Sequence, residues 1–423
     1  MLAKIFLNKS LANIKKHLLL PLLIISLNKN KEMRKSVVFI MLIALFNGVK
    51  AQNSSEKIIA GNSGLHIGGY AQVDFNLESR DGTIHNNGTL DVHRLVTFFG
   101  YNFNEKVSFV SEIEFEHVTE VYVEQAFLDY KIKNNLSVSA GLMLIPMGIQ
   151  NLYHEPSTFN GVERTNVDKY IVPSTWREIG IAINGRSIEH SINYQAMVVN
   201  GFNGYSNDIG VFGGKSGLRS GRQKGAKSYI TNPDFAGRVS YYGHLGLNLG
   251  LSAYVGDSET KAYDGLDLAD ETAVAKADST MIGIQMIGVD ARYNQGALQL
   301  RGQYILANLS NTDQYNHLTG KDLGSKLTGY YADIGYDLMD GIIPFIESET
   351  EELIAFARYE NYNTHASVEN IAVNDAYNRT DITIGLGFKV AQGAMFKADY
   401  QIKSNAGSDQ KSGQFNFGIA ILF

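Results

Sequence analysis

The sequence has no cysteine in its 423 residues. Disulfides and thiolate metal centres are therefore excluded, while an oxidising envelope compartment is compatible with the chain. Proline is scarce, at 6 residues, and tryptophan occurs once. Beyond residue 51 no segment reads as a long helix. The apolar run Val37 to Phe46 is too short to span a bilayer as a helix, which takes about 20 residues. What is abundant instead is 23 Tyr, 21 Phe and 42 Gly. Tyr and Phe suit strands and membrane-interface girdles, and Gly suits turns and tight barrel positions. The length is ample for one large core or one large closed barrel.

The N-terminal region has the layout of an export signal. Basic Met33-Arg34-Lys35 precedes the apolar run, and Asn47 to Ala51 ends it on a small residue. This predicts a signal peptide over 33–51, cleaved after Ala51 to leave Gln52 first. Residues 1–32, with an apolar piece Leu18 to Ile25 broken by Pro21, read as an extension upstream of a true start at Met33. The competing reading is an N-terminal membrane anchor. Residues 52–64 form a short periplasmic segment, and 65–423 the transmembrane barrel. Export removes nine lysines and arginines and one acid, Glu32, which takes the 37 basic and 43 acidic residues to 28 and 42. The acidic balance of the mature chain argues against nucleic-acid binding.

Downstream, segments of about ten residues alternate apolar and polar, the dyad pattern of strands with one face to lipid and one to a lumen. Phe415, Phe417, Ile419, Ile421 and Phe423 share one face, while Gln414, Asn416, Gly418 and Ala420 share the other. The same holds for Ala394, Phe396, Ala398, Tyr400 and Ile402 against Lys397, Asp399, Gln401 and Lys403. Sixteen such segments follow, near 65–77, 91–103, 106–117, 121–132, 136–145, 177–185, 188–200, 234–243, 245–256, 280–293, 296–307, 328–338, 352–361, 380–390, 393–403 and 413–423. The fold class is all-β, a transmembrane antiparallel barrel. Loop lengths sort by parity: even connections are short, as periplasmic turns are, and most odd ones are long, as external loops are. Two connections strain this rule, a short one at Val118-Thr119 and a long one from Met339 to Glu351.

The stretch Arg94 to Gly180 resembles the phosphate-selective porin O and P family. The matching pieces include Ser111 to His117, Glu124 to Tyr130, Ala140-Gly141 with Ile145-Pro146-Met147-Gly148, His154-Glu155-Pro156, Val162-Glu163-Arg164 and Pro173 to Gly180. Beyond about residue 200 only the barrel pattern and the terminal aromatic agree. The resemblance implies a sixteen-stranded, trimeric porin of the bacterial outer membrane. It also implies a third external loop folded into the lumen and basic side chains that select anions. The family name supports the fold far more than the ligand.

A pore's chemistry is charge at its constriction. The third external loop, Pro146 to Trp176, carries Arg164, Lys169, Glu163 and Asp168, with Arg177 at its end. Its apolar residues, including Leu152, Phe159, Ile171 and Trp176, suit packing against an inner wall. Strand parity turns Arg94, Arg238, Arg292, Arg301, Arg358, Lys389 and Lys397 to the lumen, amid acids such as Glu112, Glu114, Asp290 and Asp333. The fourth external loop holds Lys215, Arg219, Arg222, Lys224 and Lys227 with no acid among them, an anion funnel, a site for lipopolysaccharide phosphates, or a solvated run. The fifth carries Asp264, Asp267, Asp270 and Glu271, dense enough in oxygen for calcium but without the spacing of a defined site. Gly214-Lys215-Ser216 is not a phosphate loop, because Ile209 stands where glycine is needed and no strand-to-helix context surrounds it. His66, His93, His117 and His190 show no metal or catalytic spacing, and no cofactor is implied.

These readings converge on a channel and not an enzyme: an outer-membrane porin passing small hydrophilic solutes, with anion or phosphate preference as the finer expectation, embedded in outer-membrane lipid as a homotrimer. A non-selective diffusion pore is the rival within the class. A plugged barrel acting as adhesin or enzyme is the rival outside it.

Overall fold

The computed structural model describes residues 63–84, 86–341 and 351–423. The expected signal peptide, the upstream extension and nearly all of the 52–64 segment lie outside the described residues. Sixteen antiparallel strands form the wall. They are β1 Gly64–Arg80, β2 Thr89–Asn102, β3 Val107–Glu116, β4 Glu120–Lys133, β5 Leu136–Leu144, β6 Arg177–Ser187, β7 Ile192–Val199 and β8 Asp234–His244. The second half comprises β9 Leu247–Asp257, β10 Gly283–Gln295, β11 Leu298–Ser310, β12 Lys326–Asp337, β13 Glu352–Ser367, β14 Asn378–Ala391, β15 Ala394–Asn405 and β16 Ser408–Leu422. Each strand pairs with its sequence neighbours. The sheet closes where β1 pairs with β16, Tyr70 opposite Leu422 and Phe75 opposite Phe417. Closure leaves no free edge, the condition for β-structure in a membrane.

Alternation in sequence becomes alternation in space. Phe415, Phe417 and Ile421 stand on the outer face, exposed, while Gln414, Asn416 and Ala420 are buried inward. On β15, Phe396, Tyr400 and Ile402 face out, and Lys397, Asp399 and Gln401 face in. On β9, Leu249, Leu251 and Val255 are exposed, while Ser252 and Tyr254 are buried. A fold with polar residues inside and an apolar exterior is inverted relative to one surrounded by water, and lipid is the solvent that makes it stable.

The two connections that strained the loop-length rule have local causes. Between β3 and β4 the chain turns through His117 and Val118, both in the left-handed region with φ of 52° and 66°. A hairpin turn with two positive φ values matches strand twist and needs no extra residues. Between β12 and β13 a short helix, Leu338–Gly341, begins the connection, and 342–350 lie outside the described residues. The last external connection is also tight, because β15 runs to Asn405 and β16 starts at Ser408. The long external loops are internally organised. Loop 4 holds two short strands, Asn203–Ser206 and Ile209–Gly210, and the first pairs in parallel with Glu259–Thr260 of loop 5. In loop 5, Asp270 accepts from the backbone N–H groups of Thr272 and Ala273, capping the helix Glu271–Asp278. Capping accounts for one of the acids that the sequence offered to calcium.

Candidate functional site: a basic cavity beside the inward loop

Loop 3 leaves β5 and turns into the lumen, where Ile145 N–H donates to Trp176 O at 3.0 Å and ties its two ends together. Gly148, with φ of 73°, allows the bend, and a Cβ there would lie 2.8 Å from Asp168 Oδ1. Met147, Ile149, Val167, Ile171, Val172 and Trp176 of the loop are buried in one cluster with Ile284, Met286, Ile305, Leu327 and Tyr331 of the wall. Trp176 stacks on Phe202 at 4.5 Å and meets Tyr254 at 4.6 Å between ring centroids. Apolar burial of this kind contributes about 25 cal/mol per Å² and fixes one side of the loop against β9–β13.

Polar anchors fix the rest, and they come from strands far along the chain. Gln303 Oε1 accepts from Ile149 N–H at 2.8 Å, Asp399 from Val162 N–H at 2.7 Å, and Glu360 from Asn166 N–H at 2.6 Å. Asn160 Nδ2 donates to Asp333 at 2.8 Å. Lys397 Nζ donates to the carbonyls of Pro156, Phe159 (2.6 Å) and Gly161 (2.9 Å). On the near wall, His154 Nε2 lies 3.0 Å from Glu112 and 3.4 Å from Glu124. Burial opposes a charge on His154, but the two carboxylates outweigh it and hold the imidazole pKa well above its usual value.

The lumen left open by loop 3 is a cavity of about 750 Å³ toward the external side, between the loop and the wall of β1–β4, β15 and β16. Its lining includes Arg94, Arg164, Lys169, Arg177, Arg219, Arg222, Lys224 and Lys403, against the acids Glu78, Glu114, Glu116 and Glu163. Two of the cations have partners: Arg94 lies 3.3 Å from Glu114, and Arg177 lies 3.4 Å from Glu124. Among the described residues the other six form no ion pair. Loop 4 folds into the mouth and brings three of them. Arg219 and Arg222 both donate to Ser174 O, at 2.6 and 2.7 Å, and Lys224 lies over the Tyr122 ring at 4.3 Å. Burial, then Arg219 and Arg177 beside it, pulls the Arg222 guanidinium down to about 9, and burial with Arg222 and Arg177 lowers Lys224 as well. A second cavity, about 450 Å³, opens on the periplasmic side and includes Asp129, Lys131, Lys133, Arg186 and Arg238.

The expected constriction residues therefore divide. Arg164, Lys169, Arg177 and Glu163 line the external cavity. Asp168 is fully buried on the far side of the loop, where Thr165 Oγ1 donates to it at 2.5 Å. Of the expected funnel, Arg219, Arg222 and Lys224 reach the cavity, whereas Lys215 and Lys227 are exposed outside it. The lumen basics are mostly tied to a partner. Arg238 forms a bidentate pair with Asp290 at 2.7 Å, Arg358 pairs with Asp333 at 3.0 Å, and Lys389 with Glu352 at 2.5 Å. Arg292 lies over the Tyr153 ring at 3.7 Å, and Arg301 sits opposite Arg292 and Asp333 in register. Such pairs neutralise charge locally and give a mixed transverse field. One cluster escaped the reading of spacing altogether: Asp91, His93 and His117 bring three ligand-type atoms within 4.8 Å of one another.

The phosphate-selective porin O and P family matches residues 65–400. The chain belongs to that family. A curated relative from Aquifex aeolicus (strain VF5), an uncharacterized protein, is 30% identical over 359 residues, covering 82% of this chain and 77% of the relative. The outer membrane channel DcaP of Acinetobacter baumannii superposes with a TM-score of 0.55 at 10% identity, covering 85% of this porin and 97% of that chain. The anion-selective porin from Comamonas acidovorans does so with a TM-score of 0.52 at 12% identity, covering 86% and 100%. Family and fold make the protein an outer-membrane channel rather than an enzyme. At these identities the superpositions speak to fold alone.

Proposed function

We propose that the porin passes small hydrophilic anions by passive diffusion, with the passage between loop 3 and the β1–β4 wall as its selective segment. One observation carries the reading: eight cations and four acids line that cavity, and six of the cations have no carboxylate partner among the described residues. Charges within about 8 Å act on a passing ion at physiological salt, so the lining outweighs the acidic external loops. Burial first, and neighbouring cations after it, lower the pKa values of Arg222 and Lys224, and the second cause reflects the crowding of positive charge there. The anion-selective porin from Comamonas acidovorans shares this fold, which is therefore compatible with anion selectivity. In the proposed arrangement the exported chain begins at Gln52 and three copies assemble side by side in the outer membrane.

The test is reversal potential across a planar bilayer in a KCl gradient. Wild type is expected to favour chloride. The double variants Arg164→Ala/Lys169→Ala and Arg219→Ala/Arg222→Ala are each expected to shift the potential toward zero. A wild type that favours potassium overturns the reading, and a potential that neither double variant moves assigns selectivity elsewhere.

A further inference from the structure

Two histidines that line the external cavity meet an aspartate at its rim, on groups the proposed anion selectivity does not use. Asp91 and His93 lie on β2, and His117 is in the tight turn after β3. Opposite β1 the register of β2 slips between Gln72, which faces Arg94, and Asp74, which faces Asp91. This bulge inserts an extra residue and turns both His93 and Arg94 inward, as bulges re-aim side chains. The turn brings His117 alongside: its N–H donates to His93 O at 3.3 Å, and the two rings stand edge to face with centroids 5.4 Å apart. His117 Nδ1 lies 2.6 Å from Asp91 Oδ2, and His93 Nδ1 lies 3.8 Å from the same oxygen.

A second, independent feature lies directly behind. Asp74 is 1% exposed, its Oδ2 is 3.6 Å from His93 Nδ1, and its Oδ1 has no hydrogen-bond partner. A buried carboxylate with an unmet oxygen is a standing demand for positive charge. Two imidazoles and carboxylate oxygens at this spacing suit a late first-row divalent ion and not calcium, which takes six or more oxygens. Zinc bonds of about 2.0–2.2 Å require the three atoms to draw closer, which the partly exposed His117 side chain permits.

The geometry points to a binding site for a divalent transition-metal ion such as Zn²⁺ on Asp91, His93 and His117, backed by Asp74. Arg94 accommodates it. Its guanidinium lies 2.5 Å from His93 Nε2 and 3.3 Å from Glu114, whose Oε1 is otherwise unmet. Metal on Nδ1 places the ring proton on Nε2, and Arg94 then turns fully onto Glu114. The remaining coordination positions open to the cavity, so water or a passing anion completes the shell. The site stands whether or not the channel prefers anions.

The experiment is calorimetric titration of untagged, chelator-treated, folded porin in detergent with ZnCl₂. One ion per chain is expected, with no comparable heat from CaCl₂ or MgCl₂. His93→Ala and His117→Ala are each expected to weaken binding by roughly tenfold or more. His190→Ala, on an exposed periplasmic turn, leaves it unchanged. Folding of each variant is checked by the heat-dependent gel shift of barrels and by circular dichroism. A folded wild type that binds no zinc, or folded His93→Ala and His117→Ala proteins that bind it as wild type does, overturns the site.

Discussion

Lys397 holds three carbonyls of loop 3 from the strand wall, and Arg358 nearby reaches a fourth, Glu163 O, at 3.3 Å. Lys397→Met keeps the length of the stem and removes the donors. Each carbonyl left bare and buried is expected to cost about 1–3 kcal/mol. Urea unfolding in lipid vesicles reads that loss, and single-channel conductance is expected to rise as the loop loosens. A variant with unchanged stability and conductance would show that the other anchors suffice. His154 provides a second residue-level handle, this one sensitive to pH. Its folded pKa is raised, so its contribution is complete below about 6.5, the ordinary histidine value, and is lost as pH climbs through the folded value. Loop 3 is therefore expected to loosen on the alkaline side, seen as rising current noise. His154→Gln should abolish that dependence while leaving the barrel folded.

At the level of strands, the sixteen segments were legible because a period of two is written into each one. Lipid and lumen faces make opposite demands on successive residues, as at Lys397 and Ala398 or Asn416 and Phe417. The prediction that belongs here compares faces. Ile384→Arg, at the middle of β14 and 53% exposed on the outer surface, is expected to cost about 2–4 kcal/mol in a bilayer. Asn248→Arg, which faces the periplasmic cavity, is expected to cost much less. Equal losses in vesicle unfolding would undo the assignment of faces. Less legible was whatever depends on one strand slipping past another. His93 and His117 looked scattered, and Asp91 drew no notice, because their meeting needs both the β2 bulge and the left-handed turn at His117-Val118. The register of the β2–β3 hairpin, with Arg94 opposite Glu116, was the available clue. Asp168 looked like a pore charge because loop residues have no period to say which way they point. Arg219 and Arg222 looked like an outer funnel, since their contact with Ser174 joins two loops and has no local signature.

For the whole molecule, net charge and local charge disagree in sign. The chain is acidic, yet among the charged side chains lining its external cavity arginine and lysine outnumber the carboxylates. The acids are spent on pairs inside the barrel, such as Asp290, Asp333 and Glu352, and on loop surfaces. Two expectations concern the intact protein. Intact mass of envelope material should place the first residue at Gln52, and retention of Leu18 would refute cleavage after Ala51. Sedimentation in detergent should give three copies, and a monomer there would refute the trimer.

The anchors of loop 3 also impose an order in time. Loop 3 is made early in synthesis, but Gln303, Asp333, Glu360, Lys397 and Asp399 all emerge later, on β11–β15. The loop cannot take its place until those strands have curled round and β16 has met β1. Pairings between distant parts of a chain form slowly, so loop 3 is expected to seat after most of the wall has paired. The narrow, charged part of the channel is thus the final piece to be built, and a chain stalled short of closure would have walls without a filter.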